Sequence, residues 1–311
     1  MDESRKNLPH QPVLYHEVIN ILQPEAAGRY VDGTAGAGGH SLGIVEESAP
    51  DGKLIALDID EQAIQIARKN LASFSDRVKV LKGSYVEMDR FIQNQGWKCA
   101  DGILLDLGIS SMQLDTAERG FSFLKKAPLD MRFDQSSQYD AQQLVNHLDE
   151  KELERIIREY GEERYARKIA RTIVKNRPFQ TTIELAETIK NASGEKHQRI
   201  HPATRTFQAL RIAVNKELER IEEGLEKAVS ILCSGGRIGV ISYHSLEDRI
   251  VKQFFNRESR DCICPPEQPV CTCGHKAVLE IITKRPITPS KEEIEQNPRS
   301  RSAKLRAAKK I

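Results

Sequence analysis

A chain that runs Tyr30-Val31-Asp32 and then breaks into Gly33-Thr34-Ala35-Gly36-Ala37-Gly38-Gly39-His40 has few folds open to it. A short apolar run that stops at glycines and resumes as a helix is a strand, a tight turn and a helix N-terminus. That is where open α/β sheets hold a nucleotide-like ligand. The glycines permit positive φ and let the main chain lie against a ligand with no Cβ between them, so a side chain at Gly38 is expected to occupy ligand space. About 20 residues on, Leu54-Ile55-Ala56-Leu57-Asp58 is a second apolar run closed by an acid. At the end of a neighbouring strand, Asp58 is placed to accept two hydrogen bonds from a ribose 2′,3′-diol.

The glycine spacing narrows the ligand. Counted from Gly36, the dinucleotide fingerprint G-x-G-x-x-G needs glycine at position 41, which is Ser41, and no lysine follows the glycines where a triphosphate P-loop requires one. What remains, D-G-T-x-G-x-G-G-H with an acidic strand end after it, is the pattern of an S-adenosylmethionine site. An ordinary βα turn is the competing reading of the glycines alone.

The remaining apolar runs extend the sheet. Val78 to Leu81, Gly102 to Leu107 and Arg237 to Tyr243 read as strands three to five, with helices over Glu61 to Leu71, Val86 to Gln95 and Glu217 to Leu232 between them. Alternating strands and helices predict an α/β doubly wound, Rossmann-like parallel sheet. Between Asp115 and Asn215 only helical periodicity is found, over Asp149 to Tyr160, Glu163 to Lys175, Ile183 to Asn191 and from Ala203 onward. The expected division is therefore a sheet domain from 1–113 and 216–311 and an inserted all-helical domain from 114–215. Val278 to Thr283 reads as a late strand, and Pro298 to Ser302 as too polar to pack by itself.

The formal net charge of +2 conceals two basic regions: 12 Lys and Arg against 5 Glu from Gly161 to Lys216, and six basic residues with no acid from Arg299 to Ile311. Concentrated basic stretches suit a polyanionic partner; solvated helix faces and a frayed tail are the alternative. Met1 to Lys6 holds no apolar core of a leader, and no uncharged run is long enough to span a membrane, so a cytoplasmic protein is expected.

Strand four ends in Asp106-Leu107-Gly108-Ile109-Ser110-Ser111-Met112-Gln113. Ligands of such sheets lie beyond the carboxyl ends of the strands. Asp106 there either binds the amino group of a cofactor or a substrate amine, or caps the following turn. Tyr85, just past strand three, either flanks an adenine or is an ordinary half-buried tyrosine. His244, after strand five, either accepts a proton or positions substrate, or is structural. Arg205 and Arg211 share a helix with Phe207 between them, a set that suits phosphate contact and base stacking.

Together the loop Val31 to His40, Asp106 to Ser111 with Gln113, Glu118-Arg119-Gly120-Phe121-Ser122-Phe123, Leu129 to Arg132, Gly161 to Arg164, His201 to Arg211 and Ser242 to Arg249 resemble the RsmH (MraW) family of 16S ribosomal RNA cytosine-N4 methyltransferases. The resemblance covers almost the whole chain. It implies a class I S-adenosylmethionine-dependent enzyme that methylates N4 of cytidine 1402 in 16S rRNA of the small ribosomal subunit. By similarity to the family's cofactor positions, Gly38, Gly39, His40, Asp58, Tyr85, Asp106 and Gln113 would bind S-adenosylmethionine, and the inserted domain would recognise the RNA. Competing functions are a methyltransferase for DNA or protein, and a silent RNA-binding assembly factor; binding of S-adenosylmethionine would separate the latter.

The resemblance does not extend to the segment holding Cys262, Cys264, Cys271 and Cys273, with His275 close by. In a reducing compartment such density favours a metal thiolate over disulfides, and four thiolates satisfy tetrahedral zinc. Pro265, Pro266 and Pro269 would stiffen the loop, yet C-x-C is not the usual C-x-x-C knuckle. No metal site is assigned from the sequence.

Overall fold

The computed structural model describes residues 12–193, 201–268 and 270–311. The leader reading at Met1 to Lys6 and the role given to Pro269 lie outside the described residues. No helix among the described residues is long and apolar enough to cross a membrane.

The chain forms two compact units. One runs to Gly108 and resumes from Leu218 to Ile311; the other is Ile109–Glu217. The breaks thus fall at 108 and 217, whereas the sequence placed them at 113 and 215, and Gln113 lies in the second unit.

In the first unit α1 (Tyr15–Leu22) precedes β1 (Arg29–Asp32), α2 (Gly39–Glu47), β2 (Lys53–Asp58), α3 (Glu61–Asn70), β3 (Val78–Lys82), α4 (Met88–Asn94) and β4 (Ala100–Asp106). The second unit holds α5 (Ser111–Asp115), α6 (Ala141–His147), α7 (Glu150–Glu159), α8 (Ala166–Lys175), α9 (Thr182–Ser193) and α10 (Ala203–Asn215). The chain continues through α11 (Glu217–Ile231), β5 (Leu232–Ser242), α12 (Ser245–Glu258), β6 (Leu279–Ile281), α13 (Lys291–Gln296) and β7 (Lys304–Lys310).

The strands form one sheet in the order β3-β2-β1-β4-β5-β7-β6, parallel from β3 to β5, with β7 antiparallel to both its neighbours. Successive strand residues face opposite sides, and both sides are covered. Val31, Ile55, Ile103, Leu105 and Val240 pack with Met88, Leu225 and Phe254 on one face; Tyr30, Leu54, Leu104 and Ile241 pack with Val18, Ile44 and Ala67 on the other. This two-sided burial is why the strands read as near-continuous apolar runs. Cys99 and Cys233 are disulfide-bonded with Cα atoms 5.1 Å apart, which ties the start of β4 to that of β5.

β7 overturns the reading of the C-terminus as a frayed basic tail. It lies between β5 and β6, with Val240 opposite Arg306 and Ile241 opposite Leu305. Leu305, Ala307 and Ala308 are fully buried. Arg306 is also buried: its Nε donates to Asp248 Oδ1 at 2.6 Å, and Lys304 Nζ reaches Asp248 Oδ2 at 3.2 Å. Two of the six basic residues counted there are therefore held by one acid of α12. Ser300, within the stretch judged too polar to pack, is fully buried.

The second unit is built on amphipathic helices. Leu153 and Ile157 of α7, Ile169 and Ile173 of α8, Leu185 and Ile189 of α9, and Phe207 and Leu210 of α10 share one core. Asp149 Oδ1 accepts Glu152 N–H at 2.8 Å and caps α7.

Candidate active site

In the strand order of the first unit the chain leaves β1 for β2 and β3 on one side and returns to β4 and β5 on the other, so the topological switch lies between β1 and β4. Three acids close strands at or beside it: Asp32 on β1, Asp58 on β2 and Asp106 on β4.

The glycine loop is pinned to all three. Asp32 Oδ1 accepts Thr34 N–H at 3.1 Å and Oδ2 accepts the Ser41 hydroxyl at 2.6 Å. Gly36 N–H donates to Asp58 Oδ2 at 2.8 Å, and Asp60 N–H to Oδ1 at 2.9 Å. Asp106 N–H donates to Thr34 Oγ1 at 2.6 Å. Gly36 has φ 53°, and a Cβ there would find nothing nearer than Thr34 O at 4.0 Å. Beside the Asp58 carboxylate there is consequently an open face that a side chain at residue 36 would fill. This is the cradle a nucleoside needs, and the residues fit the adenosine half of S-adenosylmethionine.

Gly38 serves another purpose than expected. Its φ of 85° starts α2, and its Cβ would point at Leu71 Cδ1, 3.2 Å away, and at Ala67 of α3, not at ligand space. Gly39 is likewise constrained by packing, since a Cβ there would lie 2.5 Å from Pro12 Cγ.

Burial sets the electrostatics. It pushes Asp32 and Asp58 up to about 6 and Asp106 up to about 7; the hydrogen bond from Tyr243 opposes the last shift, while Asp32 and Glu247 add to it. Tyr243 Oη donates to Asp106 Oδ1 at 3.0 Å, and its own ionisation is driven well above 10 by burial and by Asp106. His40 is held down to about 4 by burial and is neutral at physiological pH. Its Nε2–H donates to Val13 O at 3.0 Å, which leaves the lone pair of Nδ1 facing Asp106 Oδ2 at 3.8 Å. That approach is a neutral contact, not an ion pair.

Gly38, Gly39, His40, Asp58, Tyr85 and Asp106 come together in the first unit. Tyr85 packs between the loop and α11, its Cβ 2.8 Å from where a Cβ on Gly33 would stand and its ring against Gly224. Gln113 belongs to the second unit, where its Oε1 accepts Ser110 N–H at 3.0 Å in the capping box of α5.

His244 is a helix cap. Its Nδ1 accepts Glu247 N–H at 3.3 Å, its Nε2 lies 3.2 Å from Glu247 Oε1, and Glu247 Oε2 accepts the N–H groups of Tyr243 and His244. Through Nδ1 His244 thus caps α12 and fixes the turn after β5, while its Nε2 makes no hydrogen bond among the described residues. Arg211 departs from the expected phosphate contact: it is partly buried and held in a bidentate pair with Glu217, Nε and Nη2 each 2.8 Å from a carboxylate oxygen. Phe207 is buried in the helical core and unavailable for stacking on a base. Arg205 is half exposed, with Nη1 3.8 Å from Glu163 Oε2. Sequence reasoning overlooked Asp32, Thr34 and Tyr243; the first two sit inside the quoted loop, and Tyr243 directly follows β5, the strand beside β4.

A sheet of this order with β7 alone reversed, a glycine loop after β1 and acids closing β2 and β4 make the first unit a class I S-adenosylmethionine-dependent methyltransferase domain. The model of the MraW methylase family matches residues 7–311, and the chain belongs to that family. It is 53% identical over 307 residues to the ribosomal RNA small subunit methyltransferase H of Geobacter sulfurreducens, covering 97% of this chain and 99% of that protein. To the protein of the same name from Dehalococcoides mccartyi it is 52% identical over 303 residues, covering 97% and 87%. Among solved structures, an rRNA methylase from Streptococcus thermophilus aligns with a TM-score of 0.43 at 11% identity over 96% of this chain and 93% of that one.

Proposed function

We propose that this chain methylates the N4 amine of cytidine 1402 in 16S rRNA of the small ribosomal subunit, in the cytoplasm, with S-adenosylmethionine as the methyl donor. The observation that carries the reading is Asp106: a carboxylate at the switch point, poised near neutrality, one oxygen held by Tyr243 and the other facing a neutral imidazole.

The sulfonium of the cofactor supplies an already activated methyl group, so the protein's task is alignment. Asp58 receives the ribose hydroxyls on the lone pairs left over after Gly36 and Asp60 have each taken one position. The first N–H groups of α2, at Gly39 and His40, have no partner within the helix and suit the carboxylate of the methionine part. Tyr85 borders the adenine end. Asp106 accepts from an amine: either the ammonium of the methionine part, or N4, whose lone pair is delocalised into the pyrimidine and gains nucleophilicity when the amine pyramidalises against an acceptor.

The helical unit is the substrate-recognition module. Its support is the outer face of α8, where Arg167, Lys168, Arg171 and Lys175 are all exposed and Tyr165, just before the helix, is 51% exposed. Cations beside an accessible aromatic ring suit an RNA backbone and an unstacked base. The test is methyl transfer to small-subunit particles from cells lacking the protein, with the modified base mapped. Label at N4 of cytidine 1402 is expected, and label on another base, or none, would overturn the reading.

A further inference from the structure

Between α12 and β6 the chain makes an excursion from Ser259 to Val278 without a helix or a strand among its described residues, and none of those residues is buried. Ile263 and Val270 are 45% and 69% exposed, so no apolar core orders the loop. Its base is fastened: His275 Nδ1 donates to Arg260 O at 2.8 Å, and Val278 N–H donates to Glu258 O at 2.9 Å. Long segments of this kind need something else to hold them.

The excursion brings four sulfurs to one point. The Sγ atoms of Cys262, Cys264, Cys271 and Cys273 all lie within 4.8 Å of one another, with Cys271 to Cys273 at 3.5 Å and Cys262 to Cys273 at 3.9 Å. These are not bonded pairs; in the same molecule Cys99 and Cys233 are. Zinc–thiolate bonds of about 2.3 Å in a tetrahedron place the sulfurs about 3.8 Å apart, a spacing that the two observed separations bracket. A backbone N–H group also aims at one of the sulfurs: Cys264 N–H donates to Cys262 Sγ at 3.4 Å. Such donors stabilise thiolate ligands, whereas free thiols are ordinarily buried as small hydrophobes.

We propose that Cys262, Cys264, Cys271 and Cys273 form a tetrathiolate site for one zinc ion, which orders the excursion between α12 and β6. Four soft ligands in tetrahedral spacing select zinc over hard cations, and a set that leaves no coordination position open is structural. The ion takes the place of the missing core by cross-linking two C-x-C arms on either side of the Pro265-Pro266 turn, where Gln268 N–H donates to Pro265 O at 3.0 Å.

The test is elemental analysis of full-length protein made without an affinity tag or chelator, with native thiol titration on the same sample. About one zinc per chain is expected, with the four thiols unreactive until a strong chelator is added. Limited proteolysis gives a second readout, because chelation should open 259–278 to cleavage while the rest of the chain resists. Replacing zinc with cobalt(II) should give the visible absorption of a tetrahedral thiolate complex, and Cys271→Ser with Cys273→Ser should abolish it. Zinc well below one per chain with four freely reacting thiols, disulfides among the four, or iron in place of zinc would each overturn the assignment.

Discussion

Removing the Tyr243 hydroxyl tests the site at its most sensitive point. Tyr243 Oη is 3.0 Å from Asp106 Oδ1 and is the hydrogen bond that opposes burial in setting Asp106 near 7. The ring also packs beside Gly108, where a Cβ would lie 3.3 Å from Tyr243 Cδ2, so Tyr243→Phe keeps the packing and deletes only the donor. A hydrogen bond to a charged group contributes about 1.5–3 kcal/mol, and a pH unit corresponds to about 1.4 kcal/mol. The variant should therefore ionise Asp106 about one to two pH units higher. The ionised carboxylate is the stronger acceptor for an amine, so activity rises with pH through this titration, whichever amine Asp106 receives. The quantity to measure is kcat/KM for the cofactor against pH, which reports the free enzyme. The wild-type limb should centre near 7 and that of the variant near 8 or above; at pH 7 the variant should lose about fivefold or more and recover in alkali. An unmoved limb in a variant that melts like wild type would refute the role given to Asp106.

Asp58→Ala should weaken cofactor binding about ten- to a hundredfold by calorimetry, the cost of one charged hydrogen-bond acceptor; unchanged affinity in a folded variant would displace the site from the β2 end. Asp32, Asp58 and Asp106 all hold protons in the folded state that the unfolded chain has released, so stability of the cofactor-free protein should fall as pH rises from about 4 to about 7. Chemical denaturation across that window should show a loss on the order of a few kcal/mol, reduced in Asp106→Asn, and a rise instead would contradict the burial argument. Arg211→Ala removes the bidentate partner of the buried Glu217 and should destabilise the helical unit by up to about 3 kcal/mol, visible in melting. Replacing Arg167 and Lys168 together should leave melting near wild type and lower the salt slope of RNA binding by about one to two; the opposite pattern would relocate the RNA surface.

Much of the sheet was legible because its strands are buried on both faces and therefore uninterrupted by polar residues. Gly102 to Leu107 needs no partner to be recognised as a central strand. Lys304-Leu305-Arg306-Ala307-Ala308-Lys309-Lys310 hides the same status. Its apolar residues are small, and the charge of Arg306 is compensated by Asp248, 58 residues away on α12, so no local window contains the evidence. Arg211 was misread for the same reason. Its acid lies only six positions on, but beyond the left-handed turn at Lys216, φ 50°, and helical spacing alone does not bring the two together. His244 stands where serine, threonine, aspartate or asparagine usually caps a helix, and an imidazole in that position looks like chemistry.

The three strand-end acids show why a position at the switch point does not by itself decide a role. What decides it is which lone pairs the fold has already used. Asp32 is 1% exposed, with Thr34 N–H on one oxygen and the Ser41 hydroxyl on the other, so it serves the loop alone. Asp58 also receives a backbone N–H on each oxygen, but it borders the open face at Gly36 and keeps capacity on that side for a diol. At Asp106 the described residues supply one hydrogen-bond donor, Tyr243, and set a neutral His40 lone pair against the second oxygen. A lone pair cannot satisfy a carboxylate. That oxygen is left needing a donor that an incoming amine can provide, and the cost of keeping it so is the protonation near pH 7 that the Tyr243→Phe profile would measure.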